Sequence, residues 1–204
     1  VALIVEPHGS PAHVHAAYES AVRRFTGLHD EMCAELPELR QQAHPGRCAL
    51  PGGIAQRMYA AVAPFCADTF ITPMAAVAGA VAEEILGAMT SAASLSRAYV
   101  NNGGDIALHL SPGEHFTVGL VDRPDRPTLI GITCIEASDS SRGVATSGWR
   151  GRSFSLGIAD AITVLAATAA QADAAATVIA NAVDLPRHPG IIRVPANELQ
   201  PDSD

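Results

Sequence analysis

Apolar and polar positions along the chain fall into two regimes. Val14, Ala17, Tyr18, Ala21, Val22 and Phe25 follow an i, i+3, i+4, i+7 spacing and predict an amphipathic helix. Ser10 is suited to cap that helix and Pro11 to open it. Ahead of it the β-branched run "ALIVE", Ala2 to Glu6, predicts a strand. Leu28 to Leu39 continues the helix or begins a second one, broken near Pro37. Proline and glycine mark 43–53 as loop, and Ile54 to Phe65 reads as another helix. In "TPMAAVAGAVAEEILGAM" Thr72 caps and Pro73 opens a further helix, whose small side chains let a neighbouring backbone come close.

From Arg97 the period changes from helical to extended. "AYVNNGGDIALHL", "HFTVGLVD", "TLIGITCIEA" and "DAITVLA" predict four strands of a mostly antiparallel sheet, separated by "SPGE", "RPDRP" and "SDSSRG". A late helix is expected over Ala169 to Ala182, then a short strand in "GIIRV" and a loose tail, "NELQPDSD". The expected class is α+β in a single domain, 1–204: N-terminal helices, then the sheet, then the late helix.

Composition narrows the function. The chain has 204 residues, 48% hydrophobic and 17% charged, with a net charge of −8. It has no basic patch or lysine run, which argues against nucleic acid and anionic membrane as partners. The longest apolar block, Met74 to Ala82, stops at Glu83 and Glu84, short of the roughly 20 residues of a membrane span. Cys33, Cys48, Cys66 and Cys134 form no C-x-x-C pair and read as buried or half-buried free thiols of a reducing, cytoplasmic compartment. The sequence begins at Val1, so an export signal removed upstream would leave no trace in it.

Three motifs carry candidate chemistry. In "NNGGDIAL" paired glycines join two strand-like runs. The segment is a tight hairpin turn, or a loop in which Asn102, Gly103, Gly104 and Asp105 meet a ligand. In "GVATSGWRGRSFSLG" Thr146, Ser147 and Gly148 precede Trp149, Arg150 and Arg152. This is a solvated loop between strands, or a phosphate cradle of amides and guanidinium. In "QADAAATVIANAV" Asp173 and Thr177 lie one turn apart on an apolar helix. They form a hard-oxygen pair for Mg2+ or Ca2+, or a structural pair in which Thr177 bonds back to the Asp173 carbonyl and Asp173 favours the helix N-terminus. His109 and His115 read as hairpin surface histidines, and His13 and His15, two apart, share no helical face. No Ser/His/Asp arrangement emerges, nor any residue in the role of acid, base or nucleophile.

In order and spacing, "NNGGDIA", "GVATSG" and "ADAAAT" resemble the FAD:protein FMN transferases, the ApbE family. The resemblance runs over most of the chain. It implies an α+β fold, Mg2+ held partly by Asp173 and Thr177, and FAD or FMN contacted by Asn102, Gly103, Gly104, Asp105, Thr146, Ser147 and Gly148. The chain departs from the transferases in two places. The H-x-x-D-P-x-T-G segment that follows A-T-S-G in that family is absent, and Ala78-Gly79 stands where the family has A-K-G. The sequence is therefore more similar to a smaller ApbE-like branch, associated by gene neighbourhood with sulfur (homocysteine) assimilation. The resulting expectation is a protein that binds a flavin or other nucleotide or phosphate ligand with Mg2+, without transfer chemistry. The alternatives are an active Mg2+-dependent FMN transferase and a non-catalytic partner in sulfur assimilation. A homo-oligomer is an open expectation.

Overall fold

The computed structural model describes residues 3–46, 48, 50–121, 123, 128–151 and 153–199. Ala2, Arg152 and the tail from Gln200 onward, all assigned from the sequence, lie outside the described residues.

β1 (Ile4–His8) leads into α1 (Pro11–Ala34), whose first turn is capped by the Ser10 side chain. α2 (Leu36–Leu39) is a separate short turn with Pro37 near its start, and α3 is Gly53–Val62. Pro73–Ala76 forms a 3₁₀ turn and α4 (Val77–Ala92) follows it. Thr72 accepts the Ala75 N–H through its carbonyl rather than capping with its hydroxyl. Together Pro73–Ala92 is long and apolar enough to meet the length and composition of a membrane span, with a mean hydropathy of 1.2, and 44% of that window is buried in the fold.

β2 (Arg97–Asn102) and β3 (Asp105–Leu110) form a hairpin, so the first β-rich run holds two strands. Asn102 pairs with Asp105, and the two turn residues, Gly103 and Gly104, take φ of 71° and 117°, as paired glycines between strands predict. The side chain that folds back on the turn is Asn101, whose Oδ1 accepts the Gly104 N–H at 2.8 Å.

β4 (His115–Val121) and β5 (Leu129–Glu136) make a separate two-stranded ribbon. β6 (Gly143–Ser147) and β7 (Ile162–Ala166) complete a five-stranded antiparallel sheet in the order β1-β2-β3-β6-β7. α5 is Ala169–Ala182, capped by Thr168. The short strand expected in "GIIRV", Gly190 to Val194, does not form. Ile192 is 87% exposed there, and β propensity without a neighbouring strand supplies no ladder. A short helix, α6 (Ala196–Leu199), stands where a loose tail was expected.

Alternation along the strands decides which face each residue serves. Ala98, Val100 and Ala107 point into the helical layer, where they pack with α4 and α5. Tyr99, Ile106, Leu108 and Val144 point the other way and hold the base of the ribbon through Phe116, Val118 and Ile135. Tyr99 meets Phe116 edge-on at 5.7 Å. α5 lies close on β6, with Ala172 and Ala176 against Ala145, and α1 covers the far side of α4. All four cysteines are free, but only Cys66 is buried. Cys33 stands on the outer side of α1 and Cys134 on the outward face of β5, where neither has a layer above it.

Candidate functional site

The same alternation assembles a polar cluster between the sheet and the helices. Asn102 has the parity of Val100, and Asp105 that of Ala107, so both side chains lie on the helical face. α5 brings Asp173 to this face, and Thr177 follows one turn later on the same side. Asn102 Nδ2 donates to the Ala78 carbonyl at 3.2 Å, and the Gly79 N–H donates to Asp173 Oδ2 at 3.0 Å. Gly79 is in the first turn of α4, where backbone N–H groups have no partner within the helix. Asp173 therefore supplies from α5 an acceptor that α4 lacks. The Thr146 backbone N–H donates in turn to the Asp105 carboxylate.

Burial dominates the electrostatics. The Asp105 carboxyl is pushed up from 3.8 to about 8, first by removal from water and then by the nearby charge of Asp173, against the Thr146 N–H. Burial likewise pushes Asp173 up to about 6, against the N–H groups of Gly79 and Ala78. Two carboxylates that resist ionising together are relieved by a proton or by a cation between them. Carboxylate and hydroxyl oxygens suit a hard ion such as Mg2+ better than zinc. Among the described residues no group of three or more His, Cys, Asp and Glu side chains could hold a metal ion. A bound ion would draw its other ligands from hydroxyl, carbonyl, water or phosphate.

Thr177 differs from the other helical threonines of the fold. Thr26 and Thr90 return their hydroxyls to the carbonyls four residues back, at 2.9 and 3.1 Å. The Thr177 hydroxyl makes no such bond to Asp173 among the described residues, so that structural alternative is not realised. The helix-start alternative for Asp173 takes another form, since the N-terminus it serves belongs to α4.

The segment from Gly143 to Gly148 corrects the loop reading. Gly143 to Ser147 is an inner strand, held between β3 and β7. Thr146 reaches the site only through its backbone. Its side chain shares the parity of Val144, faces away from α5, and pairs with the Thr163 hydroxyl at 2.9 Å. Ser147 shares the parity of Ala145 and lies on the helical face. At Gly148 a Cβ would fall 2.4 Å from the Asp160 carbonyl oxygen, so the glycine serves close packing against the returning chain. Arg150 is engaged with Asp160 at 2.6 Å and lies over the Trp149 ring at 4.3 Å. Trp149 also donates to Asp160.

Sequence reasoning missed Glu83. Its Oε1 accepts the Ala170 N–H at 2.7 Å in the first turn of α5, and its Oε2 pairs with Arg57 at 3.2 Å. Arg57 continues to Glu84 at 2.8 Å, and Glu84 to Arg24 at 2.7 Å. Burial works to raise the Glu84 carboxyl, but Arg57 and Arg24 outweigh it and hold it low. The signal was available: two glutamates inside an otherwise apolar helix have to find partners. A cleft of about 260 Å³ opens beside Glu83, Arg57, His109, Arg142 and Thr168. Its polar groups are already engaged within the fold.

The sequence model of the family described as AbpE bacteria matches residues 1–204. The chain belongs to this family. The AbpE bacteria chain is also similar to archaeal proteins named UPF0280. It is 41% identical to one from Methanococcoides burtonii over 123 residues, which are 59% of this chain and 49% of that protein. It is 40% identical to one from Methanopyrus kandleri over 128 residues, 63% of this chain and 48% of that protein. With one from Methanosarcina acetivorans the identity is 34% over 178 residues, 86% of this chain and 66% of that protein. The AbpE bacteria chain thus spans about half the length of the first two of these relatives.

Proposed function

We propose that this AbpE bacteria protein binds a phosphate-bearing ligand through a hard divalent cation, Mg2+, held between Asp105 and Asp173 with Thr177 beside them. The observation that carries the reading is the half-buried carboxylate pair on the helical face, with Asp173 accepting the Gly79 N–H and both members pushed well above the ordinary carboxylate range. A divalent ion removes their mutual repulsion and replaces lost hydration with direct ligands. The starts of α4 and α5 come together here, since a Cβ on Gly79 would lie 2.3 Å from the Ala169 carbonyl oxygen. Two helix N-termini favour a phosphate that completes the ion's shell. Asn102, Gly103 and Gly104 form the adjoining rim, and Ser147 lies on the same face. Among phosphate ligands FAD and FMN come first, on the strength of the motif resemblance. The proposed role is binding, with no transfer step.

The test is a thermal-shift and calorimetry screen of FAD, FMN and ATP, each with and without Mg2+. A ligand at about 100 times its dissociation constant adds roughly 2.7 kcal/mol of stability. The expected result is Mg2+-dependent binding that Asp173→Asn and Asp105→Asn abolish. Binding that is indifferent to Mg2+ in the unsubstituted protein would refute the metal assignment.

A further inference from the structure

The five-stranded sheet ends in two edge strands, and they differ in what they offer another chain. β1 carries Glu6 and His8 and has Pro7 between them, which supplies no N–H. Charge and proline on an edge strand prevent it from pairing with a further strand. β7 reads ITVLA, with no charge and no proline, and its register with β6 runs unbroken from Ile162 to Ala166. Among the described residues no other segment makes a backbone bond to its far side. No residue of β7 is buried, although Val164 and Ala166 pack with α5, whereas Gly143, Val144 and Ala145 of the neighbouring β6 are all buried.

Backbone direction fixes which groups of β7 are open. The Ala166 carbonyl accepts the Arg142 N–H at 3.0 Å and so points toward β6. Successive residues of a strand turn their backbone groups to opposite sides, so Thr163 and Leu165 present N–H and carbonyl outward. The Thr146–Thr163 hydroxyl contact agrees, since side chains approach most closely where a pair exchanges no backbone bonds. On α5, Ala172 and Ala176 rest against Ala145, while Ile179, 44% exposed, lies opposite Ala170 and Ala174, which are in the core with α4. No charged residue occurs from Ala161 to Ala172, and the one charge of α5, Asp173, turns inward to the Gly79 N–H. We propose that β7 is the dimer edge of this protein. Two copies bring their β7 strands together antiparallel about a two-fold axis at Val164, and the two sheets become one. The Thr163 N–H and carbonyl then bond those of the partner's Leu165, and the Leu165 groups bond those of the partner's Thr163. Ile179 and the uncharged outer side of α5 close over the seam against their counterparts. A chain with a net charge of −8 meets its own copy here without opposing like charges.

The full chain is followed by sedimentation over a dilution series, with amide hydrogen exchange read at high and low concentration. The expected result is a monomer–dimer equilibrium in which the Thr163 and Leu165 amides exchange more slowly as dimer forms, while the Val5 amide on the other edge does not change. Leu165→Pro, at a residue 40% exposed, gives β7 the proline that β1 already has and removes half of the donors at the seam. It raises the dissociation constant by roughly tenfold or more. Ile179→Glu weakens the dimer through repulsion across the axis and leaves the backbone unaltered, and Ile4→Lys on β1 leaves the dimer as it was. Circular dichroism confirms that each variant folds. A monomer at every concentration, a dimer that Leu165→Pro and Ile179→Glu both leave intact, or a dimer that gives Thr163 and Leu165 no added protection would overturn the proposal.

Discussion

Replacing Asp105 by Asn isolates the cost of the half-buried carboxylate pair. Asn keeps the size of the side chain and an oxygen for the Thr146 N–H, and its amide can donate to Asp173. In the native protein Asp105 holds its proton up to about pH 8, while the unfolded chain releases it near 3.8. Between these values the folded state binds more protons than the unfolded state, so stability falls as pH rises and levels off above the folded value. The interval from 3.8 to about 8, at about 1.4 kcal/mol per unit, gives an upper bound of roughly 5–6 kcal/mol. Relaxation and water penetration leave on the order of 2–3 kcal/mol. Asp173, raised to about 6, adds a loss of the same sign at lower pH. The assay is urea unfolding in chelator at about pH 5 and about pH 9. Between the two, Asp105→Asn gains roughly 2–3 kcal/mol on the unsubstituted protein. Stability profiles parallel within about 0.5 kcal/mol would show that Asp105 is ionised and solvated in the native state.

Other substitutions test other parts of the argument. Thr177→Val leaves the urea midpoint within about 0.5 kcal/mol, because no helical back-bond is lost, and weakens the Mg2+-dependent part of ligand binding in calorimetry. Gly104→Ala, at φ 117°, costs more than about 1 kcal/mol in chemical denaturation. Gly79→Ala places a methyl 2.3 Å from the Ala169 carbonyl oxygen and lowers the thermal midpoint by an amount equivalent to about 1–3 kcal/mol or more.

The longer helices α1, α4 and α5 were legible because each has a long apolar period, and α1 also has a recognisable start at Ser10-Pro11. The hairpin turn was legible because two adjacent glycines between extended runs have few other uses. β6 was not. Five residues, "GVATS", bounded by glycines, have little strand character of their own, and only β3 and β7 on either side make them a strand. Asp173 was visible as a charge in an alanine helix. Its partnership with Asp105 and with Gly79 depends on which strand face each residue occupies, and that was open while β6 was read as loop. The ribbon of β4 and β5 could not be told from further strands of the main sheet, since pairing partners leave no local mark.

α4 and α5 exchange carboxylates: Asp173 serves the first turn of α4, and Glu83 serves the first turn of α5. Each helix is thereby finished by the other, and one of the two carboxylates is also the proposed seat of the ion. Any event that redirects Asp173 withdraws its oxygen from the start of α4, whether the event is a proton or a metal. The Gly79 amide is then a built-in reporter of occupancy, read by its hydrogen exchange without labels or substitutions. Occupancy of the site would be registered as a change in how firmly a core helix begins, and the fold would carry that message into its own interior.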